Sequence, residues 1–122
     1  MTQVDDQGWF LDQAGVFELT AGGNVAIRVE LVDRTPEKPH GLDYALVLND
    51  ASGSRILGFD NKHRYNGGAA GQPFDHEHKY GRPGIAFRYD FTSVYALYDD
   101  FWARVEAYGE ASGVSIEIHW SE

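Results

Sequence analysis

The feature that most constrains the fold of this chain is a change of hydrophobic period at Thr92 and Ser93. Before this point, apolar and polar residues alternate in short runs, which is the pattern of strands with one buried face. After it, apolar residues recur about every 3.6 residues, and Thr92 or Ser93 can cap the helix that this spacing predicts. The apolar stripe of that helix comprises Val94, Leu97, Tyr98, Phe101, Val105 and Tyr108.

The alternating runs and the turns between them predict the fold class. The runs that can form strands are 16–19, 25–32, 44–48, 55–59, 85–91 and 114–120. Glycine-containing turns join the first two pairs of runs into hairpins, and Gly109 is placed to end the helix. We therefore expect an α+β fold, in which an antiparallel, twisted sheet of about five to seven strands packs on one long C-terminal helix. A final strand is expected after the helix.

Length and composition indicate one compact unit. The 122 residues, of which 43% are hydrophobic, fit a single domain over 1–122. No apolar run approaches the roughly 20 residues of a membrane span, and the acidic N-terminus does not resemble a signal peptide. The absence of cysteine excludes disulfides and thiolate metal sites. We expect a cytoplasmic protein without membrane contact.

The charge of the chain is unevenly distributed. The net charge is −9, which by itself argues against nucleic acid as a partner. However, residues 55–88 hold six of the ten basic residues and three of the nineteen acidic ones, so this segment carries +3 and the remainder −12. The basic segment could contact RNA or another anion, and the acidic remainder could bind a basic protein.

Two polar clusters, 60–63 (DNKH) and 75–78 (DHEH), hold three of the five histidines. In an extended backbone, His76 and His78 point to one face and Asp75 and Glu77 to the other. Two such imidazoles can bind one metal ion with His63 or Asp60 as a third ligand, although an HxH pair alone is a weak signal. The same residues could instead transfer protons, or the clusters could be polar turns with solvated histidines. His40 and His119 are expected to be a loop residue and a solvated strand residue.

The run YALVLNDASGSRILGFDNKH at 44–63 resembles the central hairpin of the TumE family of toxins. The cluster at 75–78 resembles the D-H-x-H element of that family, and the aromatic residues at 89–91 and 100–102 are similar to its last strand and helix. The similarity spans about residues 39–108. The chain departs from the family pattern in two places: the strand expected after the helix, and the Gly/Ala-rich stretch between the two polar clusters.

The resemblance implies a toxin that acts beside a DNA-binding antitoxin, with RNA as the expected target. Asp60, Asn61 and His63 carry over from one motif, and Asp75, His76 and His78 from the other. A metal-independent ribonuclease needs a base for the 2′-hydroxyl, an acid for the leaving oxygen and cations for the phosphate.

The predicted roles within such a ribonuclease follow from the residue types. His63 or His76 is the expected base and His78 the acid, while Asp60 and Asp75 orient the histidines. The predicted substrate-binding residues are Asn61, Arg55, Lys79 and Arg82. No cofactor is expected, and homodimer formation stays open. The alternatives are an interaction module with an acidic surface and a His-rich metal-binding domain.

Overall fold

A computed structural model describes residues 3–65, 67–69 and 71–119. The elements in chain order are α1 (Gln3–Leu11), β1 (Gly15–Glu18), β2 (Asn24–Leu31), β3 (Leu42–Asn49), β4 (Arg55–Asp60), β5 (His76–His78), β6 (Phe87–Arg88) and α2 (Val94–Ser112). The strands form one antiparallel sheet in sequential order. The α+β class, the antiparallel sheet and the C-terminal helix are thus confirmed. Neither helix in the described part of the chain is long and apolar enough to cross a membrane.

The alternation of β2 and β3 determines which face of the sheet is buried. Val25, Ile27, Tyr44 and Leu46 lie on the same face and are buried there. Two aromatic residues extend this core: Phe59 of β4 meets Phe101 of α2 with ring centroids 6.4 Å apart. The two helices cover this face, and α1 contributes the fully buried Phe10.

The change of period at Thr92 and Ser93 does mark the start of α2. Ser93 is the N-cap, and its side-chain oxygen accepts a hydrogen bond from the Ala96 amide at 3.0 Å. The helix runs past Gly109 and ends at Gly113, whose φ of 72° is left-handed. Gly109 instead allows a close approach, because a Cβ there would lie 2.9 Å from the Val114 carbonyl oxygen.

The prediction of a final strand over 114–120 is wrong for the described residues up to 119. There the chain makes one isolated bridge, between Ile118 and Leu19, flanked by the hydrogen bond from the His119 amide to Glu18 at 2.7 Å. The physical reason is that β1 ends at Glu18 and the chain turns at Gly22 and Gly23, both with positive φ. Little extended partner backbone is left for pairing. Residue 120 lies outside the described part.

Candidate functional site

The pairing of β4 with β5 brings the two polar clusters together. In this register Asp60 lies opposite His76, and Gly58 lies opposite His78. Glu77, between the two histidines, points to the helix side, where the guanidinium of Arg104 donates to its carboxylate at 2.7 Å. His76 and His78 therefore project from the opposite face of the sheet, away from α2.

On that face, Asp60, His63, His76 and His78 form a group that we call the His/Asp cluster. Asp60 Oδ1 lies 3.0 Å from His76 Nε2, and Asp60 Oδ2 lies 3.3 Å from His78 Nε2. The two Nε2 atoms are 3.1 Å apart. The ring of His63 stacks on that of His76 with centroids 4.9 Å apart. Two histidines can act on one substrate when they lie within about 6 Å of each other, and the rings of His63 and His76 meet this condition.

His76 is the buried centre of the cluster, and its hydrogen bonds define its protonation state. Its Nδ1 lies 2.7 Å from the Phe74 carbonyl oxygen, and its Nε2 faces the Asp60 carboxylate. Both of these partners are acceptors and therefore favour a proton on each ring nitrogen, although Nε2 also lies within hydrogen-bonding distance of His78 Nε2. Burial opposes the charge of the protonated ring, but the bonds to Asp60 and Phe74 outweigh it and raise the pKa of His76.

Asp60 is the anionic partner in the same pair. Burial opposes its ionisation, yet the bonds from His76 and His78 hold the pKa of the Asp60 carboxyl well below its usual range. The amide of Lys62 adds a further bond at 3.0 Å. The cluster therefore contains a fixed carboxylate–imidazolium pair, with His78 attached to it.

His63 differs from the other two histidines because its side chain is exposed. Its Nδ1 lies 3.1 Å from the Arg64 carbonyl oxygen, which can only accept, so Nδ1 carries the hydrogen. In the neutral form of such a ring, Nε2 has a free lone pair. A solvent-accessible imidazole of this tautomer can accept a proton.

Asp75, which the sequence grouped with the cluster, lies on the helix side of the sheet. Its Oδ2 accepts a hydrogen bond from the Tyr44 hydroxyl at 2.7 Å, and its Oδ1 lies 2.9 Å from His40 Nε2. Burial and the nearby Asp75 charge raise the pKa of Tyr44 well above its usual value. Asp75 thus orients His40, which in turn stacks on Phe91. Sequence reasoning missed His40 and Tyr44, because no spacing signal links residues 31 to 35 positions apart.

Asn61 is placed where it supports β3. Its side chain is fully buried; its Oδ1 accepts from the Tyr44 amide at 3.0 Å, and its Nδ2 donates to the Leu42 carbonyl at 2.7 Å. Both polar groups of the amide are therefore in use. The substrate contact predicted for Asn61 stays a prediction, while its structural role is directly visible.

Replacing Asn61 with Ala is expected to lower the free energy of unfolding by about 2–3 kcal/mol. The change leaves two buried backbone groups of β3 without their partner. Urea denaturation followed by tryptophan fluorescence measures the loss. Asn49→Ala is the matched control: it removes one half-buried bond to Asn24 Oδ1 and should cost about 1 kcal/mol. Equal stabilities of Asn61→Ala and the unmodified protein would contradict this role.

Three basic residues predicted to bind substrate share one cleft with His78. Arg55, Lys79 and Arg82 line this cleft, whose volume is about 570 Å³. Lys79 Nζ and the Arg82 guanidinium carbon lie 4.7 and 5.3 Å from the centre of the Phe87 ring. In the described part of the chain, salt bridges engage Arg28, Lys38, Lys62, Arg88 and Arg104. They leave the three cleft cations without a carboxylate partner there.

The cluster is also compact enough to be considered as a metal centre. One ligand atom each from Asp60, His63 and His76 lies within 4.8 Å of the others. Imidazole and carboxylate would suit a divalent transition metal. A metal ion would compete for the Nε2 lone pair of His76 with the proton that the Asp60 carboxylate favours there by raising the pKa of His76. The observed bonds therefore favour proton transfer.

The family model described as toxin TumE matches residues 10–108. The chain belongs to the TumE toxin family. The match includes every residue of the His/Asp cluster and ends before the segment that bridges to Leu19. Membership in a TumE toxin family implies a cognate antitoxin as partner. Among curated proteins and among solved structures, none matches the chain significantly.

Proposed function

We propose that this protein is a toxin of a toxin–antitoxin system that cleaves RNA without a metal ion at the His/Asp cluster. The observation that carries the proposal is the arrangement of the cluster: an exposed histidine stacks on a buried carboxylate–imidazolium pair, and His78, which contacts that pair, lines a cleft with three cations that have no carboxylate partner in the described part of the chain. Membership in the family supports the role of toxin, and the chemistry of these side chains supports RNA cleavage as the reaction.

The proposed reaction is the transfer of the phosphate from the 5′-oxygen of one nucleotide to the 2′-oxygen of its neighbour. His63 Nε2 takes the proton of the 2′-hydroxyl, and the 2′-oxygen then forms a bond to phosphorus. The bond from phosphorus to the 5′-oxygen breaks, and His78 donates a proton to that leaving oxygen. The products are a 2′,3′-cyclic phosphate and a 5′-hydroxyl, so atoms and charge balance without a co-reactant.

The remaining groups position these two histidines and stabilise charge. The His76 imidazolium contacts the rings of both and, with Arg55, Lys79 and Arg82, favours the negative charge that develops on the phosphoryl oxygens. Asp60 holds His76 and His78 in place. All of these groups come from one chain, so the mechanism requires no homodimer.

The distribution of charge supports both proposed partners. Phosphates are attracted to the +3 segment over 55–88 and repelled by the −12 remainder, which steers RNA towards the cleft. The acidic remainder in turn suits a basic antitoxin. We propose that this antitoxin binds DNA, and that toxin and RNA meet in the cytoplasm.

Induced expression of the protein in bacteria without a partner gene is expected to arrest growth. His63→Ala should restore growth at an equal level of soluble protein, because it removes the base and leaves the bonds of Asp60 to His76 and His78 in place. His119→Ala, a second exposed histidine remote from the cluster in sequence, is the control and should arrest growth like the unmodified protein. Growth curves and protein levels measure the outcome. Arrest that persists in His63→Ala would favour a non-enzymatic interaction module, and normal growth with the unmodified protein would contradict a toxin.

A further inference from the structure

A second concave site lies at the end of the sheet where β5 begins, and Asp75, which directly precedes the strand, is part of its wall. This pocket has a volume of about 210 Å³ and is lined by His40, Tyr65, Gln72, Asp75, Arg88 and Phe91, among others. Liquid water occupies about 30 Å³ per molecule, so the pocket has the space of roughly seven waters. That space fits one planar ring system.

Aromatic rings form much of the pocket wall, and the structure holds them in place. His40 stacks on Phe91 with centroids 3.7 Å apart and an angle of 23° between planes. Asp75, itself fixed by the Tyr44 hydroxyl, binds His40 Nε2 and so prevents rotation of the imidazole. A rigid pair of rings offers a stacking surface at little cost in entropy.

Tyr65, in the segment between β4 and β5, is the third ring that lines the pocket. The backbone of Gly68 packs against it: a Cβ at position 68 would lie 3.1 Å from the ring carbon Cζ. The turn is closed by a hydrogen bond from the Gly68 amide to the Tyr65 carbonyl at 3.0 Å. The absence of a side chain at Gly68 therefore allows the ring to occupy its position in the pocket.

The polar groups of the pocket favour a neutral ligand with hydrogen-bonding edges. Asp75 is buried and presents a carboxyl group, and Arg88 is already paired with Asp90 at 2.8 Å. The pocket therefore offers an anionic ligand little electrostatic attraction. Gln72 offers both a donor and an acceptor. Stacking surfaces combined with such groups are how proteins hold unpaired bases of single-stranded RNA.

The pocket and the cluster are adjacent along the chain. Tyr65 follows His63 by two residues, and Asp75 directly precedes His76. Consecutive Cα atoms are about 3.8 Å apart, so the backbones that carry the pocket and the cluster are close, although Asp75 and His76 point to opposite faces of the sheet. We propose that this pocket binds one nucleobase of the RNA, next to the bond that is cleaved. The proposal rests on the ribonuclease function, which it deepens by assigning a base-binding subsite.

Binding of the four ribonucleosides, measured by protein NMR chemical shifts, tests this subsite without any cleavage. We expect at least one nucleoside to shift the resonances of residues around the pocket, and Tyr65→Ala to weaken its binding by about 10-fold. Tyr95→Ala, which removes an exposed tyrosine that lines neither this pocket nor the cleft beside His78, should leave the affinity unchanged.

The possible results separate this subsite from the ribonuclease function. Absence of nucleoside binding, or equal affinity in the Tyr65→Ala protein, would overturn the subsite even if RNA is cleaved. Nucleoside binding that depends on Tyr65 would support the subsite even if RNA is not cleaved, and the ribonuclease function would then fail alone. The NMR spectrum also shows directly whether each variant is folded.

Discussion

Replacing His63 with Ala is expected to lower the rate of RNA cleavage by about 10²–10⁴-fold, the usual contribution of a general base. The loss should appear in kcat, since His63 acts on the 2′-hydroxyl in the transition state and Arg55, Lys79 and Arg82 hold the phosphate. The limb of the pH–rate profile that reports the base should disappear in the variant. Initial rates on a fluorescent oligoribonucleotide between pH 5 and 9 provide both readouts.

The fold of this variant is expected to be intact. His63 is exposed and its hydrogen bond is to the carbonyl of the neighbouring Arg64, so its removal costs one surface contact and the stacking of its ring on His76. His119→Ala serves as the matched control and should keep the full rate. An unchanged rate in His63→Ala would show that the base lies elsewhere. Loss of activity in both variants would indicate that the effect does not come from the cluster.

Replacing Asp60 with Ala is expected to lower the free energy of unfolding by about 3–5 kcal/mol at pH 6. The change leaves the buried His76 imidazolium without its carboxylate partner, and removing one member of a buried ion pair costs about this much. Asp90→Ala is the control, because Asp90 is exposed and its pairing with Arg88 is a surface contact. The control should lose about 1 kcal/mol or less.

The effect of Asp60→Ala should depend on pH in a defined direction. The pKa of His76 is raised in the folded protein, so the pair contributes its full stability below about pH 6.5, the ordinary histidine value. This contribution is lost as the pH rises through the folded pKa. The pKa of Asp60 is lowered, so its contribution is present above about pH 3.9 and is lost as the pH falls towards the folded value.

The measurement is urea denaturation of both variants and of the unmodified protein at pH 6 and pH 9. The stability lost in Asp60→Ala should be smaller at pH 9, and the loss in Asp90→Ala should change little. An equal loss in Asp60→Ala at both pH values would contradict the assignment of His76 as an imidazolium.

Local pattern explains which parts of the fold were predictable from sequence. Strand β2 has strict alternation and α2 has both a capping serine and a full apolar stripe, so each is encoded by nearby residues. The helix α1 has no such stripe in QVDDQGWFL, and Phe10 becomes buried there only by packing against the sheet. The prediction of a final strand was wrong because its pairing partner, β1, ends at Glu18. The length of β1 cannot be read from the residues of the final segment itself.

The candidate site divides in the same way. That His76 and His78 share a face follows from the period of two in a strand, and the sequence predicted it. That Asp60 lies opposite His76 depends on the register between β4 and β5, which the chain between them does not encode locally. The partners of Asp75 lie 31 and 35 residues away, so its separation from the cluster became visible only in three dimensions.

The most direct test of the central claim is cleavage of a synthetic oligoribonucleotide by the purified protein in the presence and absence of EDTA, with mass spectrometry of the products. We predict equal rates in both conditions and products that end in a 2′,3′-cyclic phosphate and a 5′-hydroxyl. Intact RNA, or cleavage that EDTA abolishes and a divalent metal restores, would contradict a metal-independent ribonuclease at the His/Asp cluster.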